Sequence, residues 1–172
     1  MFYTILEDYL ILYQRLSIKP GKYSNYELKL HNFFFNKTEI DPRYIILIKI
    51  EDIDFIFFFV KQTQYFLART YLNSIRNNIK NKKIMIIGID ETLINLLFNL
   101  FPDLYIDDVK IELNNLKEKY EISLCFLNEL NNYHIAVGDR GCYIKAVNEL
   151  MRKHITFNDD KISLTIKCSK SL

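Results

Sequence analysis

The stretch Ile135-Ala136-Val137-Gly138-Asp139-Arg140-Gly141-Cys142-Tyr143-Ile144-Lys145-Ala146-Val147-Asn148-Glu149-Leu150 holds two of the chain's four glycines. An apolar segment runs into Gly138 and an amphipathic one leaves Gly141. In a chain so poor in glycine, a Gly-x-x-Gly pair marks a turn whose backbone geometry requires it. On the exit side, Ile144, Val147, Leu150 and Met151 recur at helical spacing and predict a helix over 142–153. On the entry side, 129–136 reads as a short helical piece. A Gly-x-x-Gly turn between two helices lets a nucleic-acid backbone come close to the peptide. It also turns the N–H groups of the second helix toward phosphate.

Outward from this turn, 104–113 and 120–127 read as strands joined by Asn-Leu-Lys-Glu-Lys, and 161–167 as a last strand. Ahead of them, Glu91–Phe101 reads as a helix with Asp90 as its cap and Pro102 as its stop. The predicted order over 90–168 is helix, strand, strand, short helix, Gly-x-x-Gly, helix, strand. That order resembles a type II KH domain. Two families carry this version: the KH-bearing small-subunit ribosomal protein (protein three of that subunit) and the NusA-type transcription factors. Leu96–Ile111 is also similar to the helix-to-strand entry of the NusA-type module.

The resemblance implies that Gly138, Asp139, Arg140 and Gly141 clamp an RNA backbone. It implies an apolar groove of Ile135, Val137 and Ile144 beneath the bases, and Lys145 reaching a phosphate. Asp139 sets a negative charge where phosphate would sit, so a KH fold that docks on protein instead stands as the alternative.

The N-terminal half is read from its residues alone. Ile5, Leu6, Tyr9, Leu12, Tyr13 and Leu16 predict a helix over 2–17, ended by Pro20-Gly21. Residues 21–42 are mixed. The runs 43–50 and 53–60 around Glu51-Asp52 read as a largely buried hairpin, and Lys82–Ile89 as a short strand. Phe66, Leu67, Leu72, Ile75 and Ile79 predict one helix over 62–80. No internal repeat is visible. The expected partition is an N-terminal module at 1–89 and a KH-like domain at 90–172, in an α+β chain.

The 172 residues carry a net charge of +2. The N-terminal half has 13 basic and 8 acidic side chains, the C-terminal half 10 and 13. No acid lies between Asp54 and Asp90, where Lys61, Arg69, Arg76, Lys80, Lys82 and Lys83 fall. Arg69, Arg76, Lys80, Lys82 and Lys83 are therefore candidate RNA contacts beside the glycine turn.

Three cysteines and three histidines lie scattered, with neither CxxC nor HxxxH, so no metal, cofactor or disulfide framework is expected. Ile84–Leu93 resembles the strand and DxDxT loop of haloacid-dehalogenase phosphatases. Gly88 stands where that chemistry needs its nucleophilic Asp, and no enzyme is expected. Phe33–Phe35 and Phe57–Phe59 read mainly as core. Two such triplets are more than a chain of this size is expected to bury fully, which predicts an obligate subunit.

Ile, Lys, Asn, Phe and Tyr number 25, 17, 16, 13 and 12, whereas Gly, Ala, Pro and Arg total 16. That bias follows A/T-rich codons; organelle genomes are the commonest such source, with some parasites and endosymbionts as rivals, and the expectation taken is an organelle-encoded protein on the mitochondrial matrix side. The N-terminus reads as neither signal nor transit peptide. Lys49, Glu51, Asp52 and Asp54 interrupt the apolar run 45–60, so no membrane helix is expected.

The function expected from all this is a structural RNA-binding component of an organellar ribosomal small subunit. Its partners would be ribosomal RNA and neighbouring ribosomal proteins, with no small-molecule substrate. A NusA-like transcription factor, which should carry an S1-type barrel before its KH domain, and a protein-binding scaffold are the alternatives.

Overall fold

The structure, a computed structural model, describes residues 10–114, 119–158 and 162–171. The chain is α+β and divides into two compact units. One comprises 19–90; the other joins the segment up to Ile18 to residues 91 onward.

In the 19–90 unit, α1 (Asn25–Thr38) is followed by β2 (Tyr44–Ile50), β3 (Ile53–Lys61), α2 (Tyr65–Arg69), α3 (Leu72–Asn78) and β4 (Lys83–Ile89). Strand β1 (Leu16–Ile18) belongs to the other unit. The sheet order is β2-β3-β4, with β2 antiparallel and β4 parallel to β3. Residues 21–42, featureless in the sequence reading, contain α1. Its start was legible: Ser24 and Glu27 form a reciprocal capping box.

The hairpin lies as expected, with Ile50 facing Ile53 across Glu51-Asp52. Strand β3 is central and is buried from Phe55 to Val60, which is why it reads as a continuous apolar run rather than an alternation. Its residues Ile56, Phe58 and Val60 join Leu30, Phe34, Ala68, Ile75, Ile84 and Ile86 in one core, with Phe34 stacked on Phe58 at 4.6 Å.

The predicted helix over 62–80 is in fact two. A 3-10 turn at Gln62–Gln64 leads into α2, and the chain breaks at Thr70-Tyr71 before α3. The break changes which residues face inward. Tyr65, Ala68, Leu72, Ile75 and Ile79 pack on the core, whereas Phe66 and Leu67 are 72% and 57% exposed.

The second unit contains β1 (Leu16–Ile18), α4 (Leu93–Leu100), β5 (Ile106–Asn114), β6 (Lys119–Phe126), α5 (Asn132–Val137), α6 (Cys142–His154), β7 (Ile155–Phe157) and β8 (Leu164–Lys170). The order β5-β6-β8 sets β5 antiparallel and β8 parallel to β6, while β1 pairs antiparallel with β7. Two expectations are corrected here. The helix expected over 2–17 fails over 14–17, where Arg15 bridges to Thr92 and the strand Leu16–Ile18 begins; its residues 2–9 lie outside the described residues. Helix α4 has Thr92, not Asp90, at its N-cap position.

Helix α4 buries Leu93, Leu96, Leu97 and Leu100 and ends ahead of Pro102, as the restriction on residues before proline requires. Helix α6 buries Cys142, Ala146, Val147, Leu150 and Met151.

The expectation of no internal repeat also falls. Apart from β1 and β7, which pair with each other, both units run helix, strand, strand, helix, helix, strand. Both have the first two strands antiparallel and the last strand parallel to the central one. In each, a 3-10 turn joins the central strand to the next helix. The Phe excess is largely absorbed as well. Phe34, Phe57, Phe58 and Phe59 are fully buried, and of the two triplets only Phe35 is exposed, at 47%.

Candidate nucleic-acid interface

The glycine turn is built from both sides. Helix α5 ends as the Gly138 N–H donates to the His134 carbonyl at 3.0 Å, and the Gly141 N–H donates back to the Gly138 carbonyl at 3.2 Å. Gly138 has φ +80° and ψ 172°, a conformation open essentially to glycine alone. A Cβ there would also lie 2.7 Å from the backbone nitrogen of Tyr143. A Cβ on Gly141, at φ +72°, would make only ordinary van der Waals contact, 4.0 Å from Lys145 Cε and Val137 Cγ1, and Arg140 is itself left-handed at φ 51°.

Tyr143 explains the close approach. Its hydroxyl donates to the Leu100 carbonyl, and its ring stands edge-on to Phe101 at 5.6 Å. These contacts pin the first turn of α6 to the end of α4. The scarce glycines therefore answer first to the fold, and the turn they permit leaves the next residues outside.

Asp139 and Arg140 are exposed on its tip, with Arg140 Nε 3.7 Å from Asp139 Oδ2. Part of the arginine's charge is thus offset locally, weakly because both groups are solvated. Lys145 is exposed one turn into α6. Ile135 is 59% exposed on α5, and Val137 and Ile144 are half-buried. The eight residues of the expected loop, groove and phosphate contact thus lie at one end of the α5–α6 pair.

Both helices pack on β8. Lys170 at the end of that strand sits over the Tyr133 ring at 5.2 Å. Burial pushes the Cys168 thiol on β8 up to about 12, so it stays a neutral, unreactive side chain at physiological pH.

The basic stretch of the 19–90 unit does not form one face. Arg76 Nη2 donates to the Ile84 carbonyl at 3.1 Å, tying α3 to β4. Lys82 pairs with Asp54. The hydrogen bond from Lys82 holds the Asp54 carboxyl below its usual range, and the same bond holds Lys82 above its own. Lys61, Lys80 and Lys83 are exposed, and Arg69 is half-buried at the end of α2. Sequence reasoning thus grouped two structural cations with surface ones. The acid-free sequence from 55 to 89 hid Asp54 as a partner, because the pair closes across 28 residues.

What sequence reasoning missed is the end of α2. Counted back from the helix break, Tyr65-Phe66-Leu67-Ala68 matches Tyr133-His134-Ile135-Ala136, 68 positions later. Ala68 and Ala136 are both fully buried, and Leu67 and Ile135 are exposed to 57% and 59%. Tyr65 meets Phe66 edge-on at 5.4 Å, and Tyr133 meets His134 edge-on at 5.5 Å.

No cluster of His, Cys, Asp and Glu able to hold a metal occurs among the described residues. No helix among them is long and apolar enough to cross a membrane.

No family model matches the chain, and no curated protein sequence does. Among solved structures, the crystal structure of APE1850 is similar in fold. It shows a TM-score of 0.55 at 17% identity, over 84% of this chain and 100% of that one. At that identity the likeness concerns the fold, and it extends beyond either unit alone.

Proposed function

We propose that the chain is a non-enzymatic RNA-binding protein whose C-terminal unit is a type II KH domain. One observation carries the reading. A glycine-bounded turn, held from behind by Tyr143, puts Arg140 and its neighbours on an exposed tip beside the half-buried apolar positions Val137 and Ile144. Such a surface suits the backbone and bases of about four unpaired nucleotides. The strand, helix and glycine order expected from sequence supports the same reading. The assembly proposed is the small ribosomal subunit of an organelle, supported by the A/T-driven composition.

A NusA-like role in transcription is the second reading, and the duplicated fold favours it. Two single-strand readers in series suit an extended unpaired strand, such as a nascent transcript, better than a largely base-paired RNA. The barrel expected to precede the KH domain in that role is not what 19–90 forms: that unit is a three-stranded sheet carrying helices.

Crosslinking of the full chain to a 4-thiouridine-labelled single strand tests RNA contact, with adducts expected between Ile135 and Lys145. Adducts confined to other segments would remove the turn from the interface. Co-sedimentation of the native protein with small subunits, as against co-purification with polymerase, separates the two assemblies.

A further inference from the structure

The repeated topology gives the 19–90 unit a counterpart of the proposed groove, but with different chemistry. Its interhelical link is Thr70-Tyr71, without glycine, and Thr70 Oγ1 turns back to donate to the Leu67 carbonyl at 2.7 Å. A link with side chains at every position keeps a sugar-phosphate backbone farther from the peptide than Gly138–Gly141 does. What this unit offers instead is Phe66, 72% exposed, beside Leu67 at 57%.

Neither residue is left over from the core. Tyr65 and Ala68 make the inward contacts of α2, so Phe66 and Leu67 face outward by helical geometry. Their positions correspond to His134 and Ile135 in the glycine-bearing unit.

The charges nearest them along the chain are basic. Residues 19–90 carry 12 basic and 7 acidic side chains, and none of the acids falls between Asp54 and Asp90. Lys61 is exposed just before α2, and Arg69 follows Phe66 by three residues on the same helix. An exposed aromatic with cations close to it in the chain is what stacking recognition of unpaired nucleic acid needs: a flat apolar face for the base and cations for the backbone.

We propose that Phe66, flanked by Leu67, is a second RNA-binding position that takes an unpaired base by stacking rather than by clamping its phosphates. The proposal rests on the RNA-binding reading of the C-terminal unit. It assigns the two units unlike tasks: one holds backbone at a glycine turn, the other holds a base on an aromatic ring.

The test uses the full chain and a fluorescent 16-nucleotide single strand of mixed sequence, with the duplex of the same sequence as reference. Phe66→Ala is expected to weaken single-strand binding by about 5- to 100-fold, the range for losing one stacked base. Phe66→Trp should retain it. Because the side chain is exposed, neither change should shift the melting temperature by more than a degree or two.

Equal affinity of wild type and Phe66→Ala, with binding still lost in Gly141→Asp, would overturn this proposal and leave the glycine-turn reading standing. No single-strand binding by the wild type would overturn both. Unchanged RNA affinity together with loss of a co-purifying protein in Phe66→Ala would make the ring a protein-docking residue and sink the proposal.

Discussion

Asn148 on α6 pairs its side-chain amide with both backbone polar groups of Ile166 on β8: Nδ2 donates to the carbonyl at 2.9 Å, and Oδ1 accepts the N–H at 2.8 Å. Strand β8 lies at the edge of its sheet, so the amide stands in for a missing neighbouring strand. Asn148→Leu leaves both groups of Ile166 unmatched and is expected to cost about 1–3 kcal/mol. Urea denaturation should show a lower midpoint at unchanged slope. Concentration-dependent association, from the uncovered edge, is the second readout.

The two glycines of the turn should separate in mutagenesis. Gly138→Ala forces a Cβ against the backbone of Tyr143 and is expected to cost about 1–3 kcal/mol from backbone strain alone, with the clash added. Gly141→Ala meets no clash, only van der Waals contact at 4.0 Å, and should cost about 1–2 kcal/mol from its left-handed backbone. Thermal melts of the two variants check the order. Gly141→Asp is consequently the better variant for testing RNA contact, because it disturbs the fold less than a change at Gly138.

Asp139 is the negative charge on the tip. Asp139→Asn removes it and frees Arg140 from its 3.7 Å neighbour. RNA affinity at low salt should rise, and the slope of log K against log salt should steepen by up to about one unit as Arg140 engages phosphate. An unchanged slope would show that the tip does not meet the backbone.

The cations of 61–83 should fall into two classes. Lys80→Glu with Lys83→Glu is expected to flatten the salt dependence of RNA binding and leave the melting temperature near that of the wild type. Arg76→Glu removes the hydrogen bond that ties α3 to the Ile84 carbonyl, and should cost about 1.5–3 kcal/mol of stability. Paired melting and binding titrations distinguish the classes.

The Asp54–Lys82 pair gives a pH signature. The Asp54 carboxyl titrates below its usual value in the folded chain because Lys82 hydrogen-bonds it. Its stabilising effect is therefore complete above the unfolded value, near 4, and is lost as pH falls through the lower folded value. Lys82 titrates above its usual value, so its effect is complete below about 10.5 and is lost as pH rises through the folded value. Asp54→Asn should be less stable than the wild type at pH 7, and the gap should narrow as pH falls below the unfolded value toward the lower folded one. The difference should be small, since both groups are solvated.

Much of the C-terminal unit was readable because periodicity and punctuation agreed there. Gly138, Gly141 and Pro102 bracket helices whose apolar positions recur at three and four residues. The errors arose where the local signal was ambiguous. Leu12, Tyr13 and Leu16 fit a helical period, yet Leu16–Ile18 is strand because β7 supplies a partner from far along the chain. Phe66 and Leu67 fit an apolar helix stripe, yet the break at Thr70-Tyr71 resets the phase. The repeat was invisible because topology was kept while most side chains around Tyr-x-x-Ala were not, and helices α1 and α4 differ in length, 14 residues against 8. Of the site, the glycines were legible as backbone requirements. That Asp54 and Ile84 occupy two of the cations was not, since both contacts depend on tertiary packing.

The pairing of β1 with β7 sets an order of events for a chain emerging during synthesis. Leu16 faces Phe157, so the strand made early waits through about 140 further residues, roughly 7–28 s at typical elongation rates. Residues 19–90 hold their own sheet and core and are complete long before then. Their two ends are drawn together as the Leu16 N–H meets the Glu91 carbonyl at 2.9 Å. Cotranslational folding should thus finish the inner unit first as a closed loop, and the outer one only when its last strands have left the ribosome.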